Sequence, residues 1–428
     1  MSTPDRVVIV GAGQGGLQVA DSLRAGGYEG AITIVGEEDD LPYQRPPLSK
    51  DYLRPGGEPA PLPIRAADYF TGLDVDVRIG VRATAIDRAR HEVVLNSGAV
   101  LPYSHLVLAT GSANRTLRVA GGYLDGIHHL RTLAEACAVR TDLEHARSAV
   151  VIGAGFIGLE FAAVARKRGL DVTVLESADR PMGRVLSAPL SDFVASAHRR
   201  TGIDLQVGEG VASFQGRNGR VTAVVSSLGK WYPADLVLVG VGVTPRAELA
   251  EQAGLAVDNG VVVDASLRTD DERIYAIGDC ANFPSHHLGT RSRLESVQNA
   301  TDQARHVARM ILDRPAPYRD VPWFWSNQGD LRLQIAGLGL PGDENVLRGD
   351  VDTGKFSVFR FREGRLAAVE SANQPADHMA ARRLLANDLP LGPEQAGDPD
   401  FDIKAYAKRE TNLVRSGHRE ECNQGAQR

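Results

Sequence analysis

The feature that most constrains this chain is a short pattern that occurs twice. An apolar run, Arg6-Val7-Val8-Ile9-Val10, is followed by Gly11-Ala12-Gly13-Gln14-Gly15-Gly16, a helical stretch from Leu17 to Arg24, a second apolar run Ala31-Ile32-Thr33-Ile34-Val35, then Gly36 and Glu37. The same order returns in Ala149-Val150-Val151-Ile152, Gly153-Ala154-Gly155-Phe156-Ile157-Gly158, a helical stretch to about Gly169, Val172-Thr173-Val174-Leu175 and Glu176. β-branched runs this short read as buried parallel strands. In G-x-G-x-x-G, one glycine makes the tight turn, the next lets backbone approach a pyrophosphate, and the third lets helix pack on strand. The helix N-terminus faces the phosphates and the acid takes ribose hydroxyls. Glu37 falls 26 positions after Gly11 and Glu176 falls 23 after Gly153, near the expected spacing of about 20.

A lone glycine pattern is weak, because such turns also end ordinary strands. Here strand, glycines, helix, strand and acid are all present, in duplicate. Two dinucleotides in one chain point to a flavin and a nicotinamide. At 428 residues the chain is long enough for two or three domains. Apolar residues make up 43% and charged residues 24%, a globular balance that excludes a disordered or collagen-like chain. The net charge of −6 argues against a general nucleic-acid binder. Cys137, Cys280 and Cys422 lie far apart, so neither a C-x-x-C pair nor a four-cysteine iron–sulfur site can be drawn locally. Without a disulfide framework the cytosol, hence a cytoplasmic protein, is the expected compartment. No apolar stretch is long enough to span a bilayer and no secretory signal precedes the first strand.

Further strands are expected at Leu106 to Gly111, ending with Thr110 and Gly111, at Leu236 to Gly242, and at Ile274 to Cys280, which closes on Asp279. From Pro322 the pattern shifts to shorter segments, Leu331 to Ile335 and Phe356 to Phe361, as in an α+β module. Lys408 to Arg428 is polar, lacks periodicity and reads as a frayed, disordered tail.

With these residues in view, the chain resembles the NADH-dependent, FAD-containing ferredoxin reductases of bacterial oxygenase systems, from Val7 to about Leu413. The most specific stretches are Pro42-Tyr43-Gln44-Arg45-Pro46-Pro47-Leu48-Ser49-Lys50, Ala276-Ile277-Gly278-Asp279-Cys280, Leu294-Glu295-Ser296-Val297-Gln298-Asn299-Ala300 and Trp323-Phe324-Trp325-Ser326. The resemblance implies an α/β fold, with two Rossmann-like dinucleotide-binding units of the glutathione-reductase kind and a C-terminal α+β module. It implies a discontinuous FAD domain over 1–114 and 244–317, an NADH domain over 115–243, a C-terminal reductase domain over 318–407 that covers the flavin, and a monomer or weak dimer. Gly11, Gly13, Gly15, Gly16, Glu37, Arg45, Lys50, Ala83, Thr110, Gly111, Arg131, Asp279, Val297 and Trp325 are then expected at FAD. Gly153, Gly155, Ile157, Gly158, Glu160, Glu176, Arg184 and Gly242 are expected at NADH. Asn327 and Gly329 stand where the family more often has an acid and an aromatic.

The resemblance also implies a reaction. Hydride passes from NADH to FAD, and electrons leave singly to a 2Fe–2S ferredoxin that feeds a haem-thiolate monooxygenase or a ring-hydroxylating dioxygenase. Lys50, Glu160 and Trp325 are the implied catalytic residues, with Lys50 near flavin N5, Glu160 paired to it and Trp325 beside the ring system. Read from the residues alone, Lys50 is equally a surface lysine, although only six of the 48 basic residues are lysine. Glu160, two residues after Gly158, reads also as a charge in the first helical turn facing the helix dipole. Asp279 reads also as a helix N-cap, and the tryptophans as core. Arg291 and Arg293 divide between plain surface charges and a basic rim for an acidic ferredoxin. The window from Asp40 to Lys50 holds no sulfur, so electrons have no local dithiol to visit. An NADH oxidase or quinone reductase, and a redox-signalling flavoprotein related to apoptosis-inducing factor, are the alternatives.

Overall fold

The computed structural model describes residues 5–56 and 62–413. They form two compact units. The first comprises Met1–Pro47, Ala60–Arg115 and Val243–Asp320; the second comprises Leu48–Pro59, Thr116–Gly242 and Val321–Arg428. The sequence expectation gave residues 48–59 to the FAD domain and set the C-terminal module apart. The compact units group residues 48–56 and the C-terminal residues from 321 with the second unit.

The first unit is built on a five-stranded parallel sheet in the order Ile274–Ala276, His105–Leu108, Arg6–Val10, Ala31–Val35, Val75–Arg78. Val7, Val8 and Ile9 of the central strand are fully buried, as a strand covered on both faces requires. The helix Gln14–Ala25 buries Leu17, Val19, Ala20 and Leu23, and the helix Val297–Ile311 buries Ala304, Val307 and Ala308. Each large aliphatic side chain removed from water this way contributes roughly 1.5–3 kcal/mol. The chain leaves this unit after Ser112–Asn114 and returns along it antiparallel as Val243–Pro245. That pairing places exit and entry side by side, which lets the intervening residues fold as an insertion.

The second unit repeats the plan. Its parallel sheet runs Asp204–Val207, Asp171–Glu176, Ser148–Ile152, Leu236–Val239, Ile127–His128. The helices Phe156–Lys167 and Ala188–Arg200 belong to it, with an antiparallel meander over Val211–Arg217, Arg220–Ser226 and Trp231–Pro233. The C-terminal part is a five-stranded antiparallel sheet in the order Trp323–Gln328, Leu331–Gly337, Arg365–Ala372, Lys355–Arg362, Glu344–Asp350. Helix Pro375–Ala386 packs its Ala380, Ala381 and Leu384 into a core with Ala336, Phe359 and Val369.

A buried ion pair joins this sheet to the second dinucleotide fold. Arg360 lies 3.0 Å from Glu370, with their side chains 7% and 1% exposed. Glu370 also accepts from the Ser187 amide at 2.9 and 3.1 Å and from its hydroxyl at 2.6 Å, at the start of the helix Ala188–Arg200. Burial pushes the Glu370 carboxyl up; the bonds from Ser187 and the charge of Arg360 oppose it.

The chain is helical over 403–413. This helix runs past residue 408, where the sequence reading began a disordered tail, because Ile403 and Ala407 are buried in the same core as Phe359. Residues 414–428 lie outside the described residues.

Candidate functional site

In the first unit, Gly11 has φ +124°, and a Cβ there would stand 2.1 Å from the Ala109 carbonyl oxygen. A Cβ at Gly16 would stand 1.9 Å from the Gly11 carbonyl oxygen, so helix and turn meet backbone to backbone. At Gly13 a Cβ would meet nothing within 4 Å. The second unit shows the same division of labour. Gly153 has φ +98° with the Gly240 carbonyl 2.5 Å from its would-be Cβ, Gly158 would strike the Gly153 carbonyl at 2.3 Å, and Gly155 faces open space. Gly13 and Gly155 are the N-caps of their helices, and no side chain caps either one. Each helix therefore offers free N–H groups beside an open glycine, which is the fit a diphosphate needs. Gly15, the glycine of the first turn that lies outside the three of the G-x-G-x-x-G pattern, packs against Ile277 instead.

The acids follow the same logic. Glu176 ends its strand and accepts from the Ala154 amide at 2.7 Å and the Ala178 amide at 2.9 Å, which fixes it against the second glycine turn. Glu37 pairs with Arg246 and lies 3.9 Å from Arg82. Sequence reasoning missed Arg246, which lies 209 positions away. Its carbonyl accepts from Thr110 Oγ1 at 2.6 Å, and its amide donates to the Gly111 carbonyl at 3.0 Å. Ile157, second in its helix, is 42% exposed. The guanidinium of Arg184 comes within 3.8 Å of where a Gly242 Cβ would lie, and Gly242 has φ +99°.

Asp279 is not an N-cap. It lies inside the 3₁₀ turn Gly278–Cys280, whose cap is Ile277, and accepts from Ser112 Oγ at 2.8 Å. Cys280 donates to the Ile277 carbonyl at 3.2 Å, and burial pushes its thiol up; it is a packed, inert sulfur. Arg45 pairs with Glu38 at 2.5 Å and lies over the Tyr43 ring, 4.9 Å from its centre. Ala83 opens the strand Ala83–Asp87, and Val297 opens the helix Val297–Ile311 behind the Ser296 cap. Arg131, in the second unit, precedes the Thr132 capping box of the helix Leu133–Leu143.

Lys50 and Glu160 are both in the second unit, and the structure brings them together. Glu160 is the fifth residue of the helix Phe156–Lys167, past its first turn, and is 4% exposed. It is a buried ion-pair partner beyond the first turn, not the first-turn charge facing the helix dipole that its sequence position also allowed. Oε2 accepts from Lys50 Nζ at 2.5 Å and from Ser49 Oγ at 2.5 Å, while Oε1 accepts from Ser326 Oγ at 2.7 Å. The segment is anchored by Arg168, which donates to the Leu53 carbonyl at 2.9 Å, and by Tyr52, 3.0 Å from Cys137 Sγ. A cavity of about 140 Å³ flanks the pair, lined by Lys50, Arg54, Glu160, Ala163, Lys167, Asn327 and Gly329. Glu160, Ala163 and Lys167 recur at helical spacing on one face.

Trp325 lies on the strand Trp323–Gln328, where side chains alternate between faces. Phe324, Ser326 and Gln328 share one face: Phe324 meets Phe156 at 4.4 Å between ring centres, and Ser326 reaches Glu160. Trp323 and Trp325 share the other, 5.5 Å apart, and Arg382 lies 4.0 Å over the Trp323 ring. Ser49, Ser326 and Gln328 carry no signal at their own positions; only the period of two beside Trp325 places the last two together.

Two nucleotide cradles, each with its acid, define an oxidoreductase that holds two dinucleotides. The chain belongs to the pyridine nucleotide-disulphide oxidoreductase family, whose model matches residues 5–304, and residues 323–407 match the reductase C-terminal family. It is 49% identical to rhodocoxin reductase of Rhodococcus erythropolis over 94% of each chain. Among solved structures, the ferredoxin reductase for the CYP199A2 system of Rhodopseudomonas palustris is 47% identical with a TM-score of 0.92, covering 94% of this chain and all of that one. The covalent putidaredoxin reductase–putidaredoxin complex matches at 40% identity and TM-score 0.90, over 94% of this chain and 99% of that one. The cofactors of this family are FAD and NAD(H). No described helix is long and apolar enough to cross a membrane.

Proposed function

We propose that this protein passes electrons from NADH through FAD to a 2Fe–2S ferredoxin serving an oxygenase. The observation that carries the reading is the Lys50–Glu160 pair, a buried charge couple in a chain that has two nucleotide cradles. FAD, when bound, accepts a hydride and returns its electrons one at a time. Gly11, Gly13 and Gly16 with Glu37 would hold its adenosine half; Gly153, Gly155, Gly158 and Glu176 would hold NADH. As the family resemblance implies, Lys50 would supply a positive charge to the flavin, with Glu160 keeping that ammonium in place. Cys137 and Cys280 are both free and the window from Asp40 to Lys50 holds no sulfur, which supports an external acceptor, and the names of the similar reductases point to a ferredoxin. The lack of a disulfide framework in the sequence supports the cytoplasm as its compartment.

Of the two arginines offered as a steering rim, Arg291 suits it better than Arg293. Arg291 donates to the Val263 and Asn282 carbonyls, and Arg293 pairs with Glu295 at 2.7 Å with its side chain 10% exposed. Arg293 is thereby neutralised by its partner, whereas Arg291 stays exposed and keeps its charge.

Anaerobic stopped-flow tests the reading. NADH should bleach the flavin first and an added 2Fe–2S ferredoxin should be reduced second. Oxygen or a quinone consumed as fast as any ferredoxin would establish the oxidase instead.

A further inference from the structure

The Glu160 carboxylate is the end of a longer buried chain. His198 Nε2 lies 2.8 Å from Gln328 Oε1, Gln328 Nε2 lies 3.2 Å from Ser326 Oγ, and Ser326 Oγ lies 2.7 Å from Glu160 Oε1. His198, Gln328 and Ser326 are 3%, 3% and 0% exposed. They come from the helix Ala188–Arg200 and the strand Trp323–Gln328 and converge on the helix that carries Glu160.

The direction of every bond is fixed from one end. A carboxylate only accepts, so Ser326 gives its single hydrogen to Glu160. Its oxygen must then accept from an amide hydrogen of Gln328. The carboxamide oxygen is thereby turned to His198, which must bring a hydrogen on Nε2. Burial pushes the His198 imidazole toward its neutral form, and the neutral ring is then held as the Nε2–H tautomer. Three buried polar side chains are costly in such a place unless each is bonded. Here all three point their donors along one line that ends on Glu160.

Resting on the reading of Lys50 and Glu160 given above, we propose that Ser326, Gln328 and His198 are positioning residues that orient the Glu160 carboxylate and so fix the Lys50 ammonium. Ser326 occupies Oε1, leaving Oε2 for Ser49 and Lys50, so the carboxylate cannot turn without breaking bonds at both oxygens. Loss of the Ser326 bond frees that rotation, and the ammonium loses its fixed place.

The test uses the FAD-loaded protein, reduced anaerobically by NADH with no acceptor present, so that the identity of the acceptor does not enter. Ser326→Ala should slow the limiting rate of flavin bleaching roughly tenfold with the NADH dissociation constant unchanged within about twofold. Ser326→Thr, which keeps the hydroxyl, should restore most of that rate. In the unsubstituted protein, ¹⁵N NMR should find His198 protonated on Nε2, and Gln328→Met should abolish that preference. A Ser326→Ala rate like wild type, a Ser326→Thr loss as deep as that of Ser326→Ala, or an Nδ1–H tautomer at His198 overturns the proposal. Lys50→Met is the control. If it is slow while Ser326→Ala is not, the chain alone fails; if it is as fast as wild type, the role of the pair fails and the chain with it.

Discussion

The ammonium of Lys50 stands 2.5 Å from Oε2 of Glu160 although 110 positions separate them. The two ends of this pair are unequally enclosed, with the lysine side chain 16% exposed and the glutamate 5%. Removing the lysine strands a carboxylate in the interior, whereas neutralising the glutamate leaves an ammonium beside a cavity. Breaking a buried pair costs roughly 3–5 kcal/mol, and partial exposure reduces that here to about 2 kcal/mol. Lys50→Met should therefore lower the melting temperature by several degrees, and Glu160→Gln by about half as much. Equal losses in thermal unfolding would contradict this account of the site.

The glycines of each turn should separate into two classes. Gly155→Val projects into open space, so the protein should melt as wild type does yet bind NADH at least about tenfold more weakly, as calorimetry would read. Gly13→Val should likewise give a folded protein that holds little FAD and is pale. Gly158→Val drives its side chain into the Gly153 carbonyl and should lose several kcal/mol of stability through backbone displacement.

Coenzyme choice should rest on Glu176. Already tied to two backbone amides, it presents a fixed negative charge to the adenosine ribose and repels a 2′-phosphate. A hydrogen bond to a charged group is worth about 1.5–3 kcal/mol, so Glu176→Ala should reduce the preference for NADH over NADPH by roughly 10- to 150-fold in kcat/KM. Equal use of both coenzymes by the unsubstituted protein would refute it.

Stability should fall on mild acidification. His378 is 1% exposed, and burial, then the nearby charges of Arg382 and Arg332, push its pKa down to about 4. Burial and Arg309 do the same to His306, also to about 4. Both are depressed below the unfolded value, so their stabilising neutrality is full above about pH 6.5 and is lost as pH falls towards 4. Each contributes at most about 3 kcal/mol across that window. His378→Phe, which keeps a ring against Trp323, should flatten the slope of melting temperature against pH between 6.5 and 4; an unchanged slope would assign the loss elsewhere.

Legibility in the sequence followed the range of the interactions. Gly16 and Gly158 were readable because each turn closes on itself, whereas Gly11 and Gly153, which meet the distant Ala109 and Gly240 carbonyls, were readable only through the glycine pattern they open. Glu176 was readable because strand, turn and acid are contiguous. Glu160 was visible only as a charge close behind a glycine turn, because what fixes it, Ser49 and Ser326, comes from 111 and 166 positions away. Arg293 was ambiguous for a different reason: an arginine held by a carbonyl and a neighbouring carboxylate carries no local mark that separates it from one facing solvent. The helix over 403–413 was hidden because its buried row, Ile403, Ala407 and Thr411, holds only one large apolar side chain.

The buried Arg360–Glu370–Ser187 contact bears on how such reductases can be recombined. A cut at residue 321 looks clean along the backbone, yet it leaves Ser187 on one fragment and its carboxylate partner on the other. Exchanging C-terminal modules between relatives to redirect electrons to a new oxygenase therefore demands a seam that follows side chains. The recipient has to present at 187 a residue that can donate to the incoming Glu370, or the chimera keeps the Arg360–Glu370 pair but loses the bonds that tie it to the second dinucleotide fold.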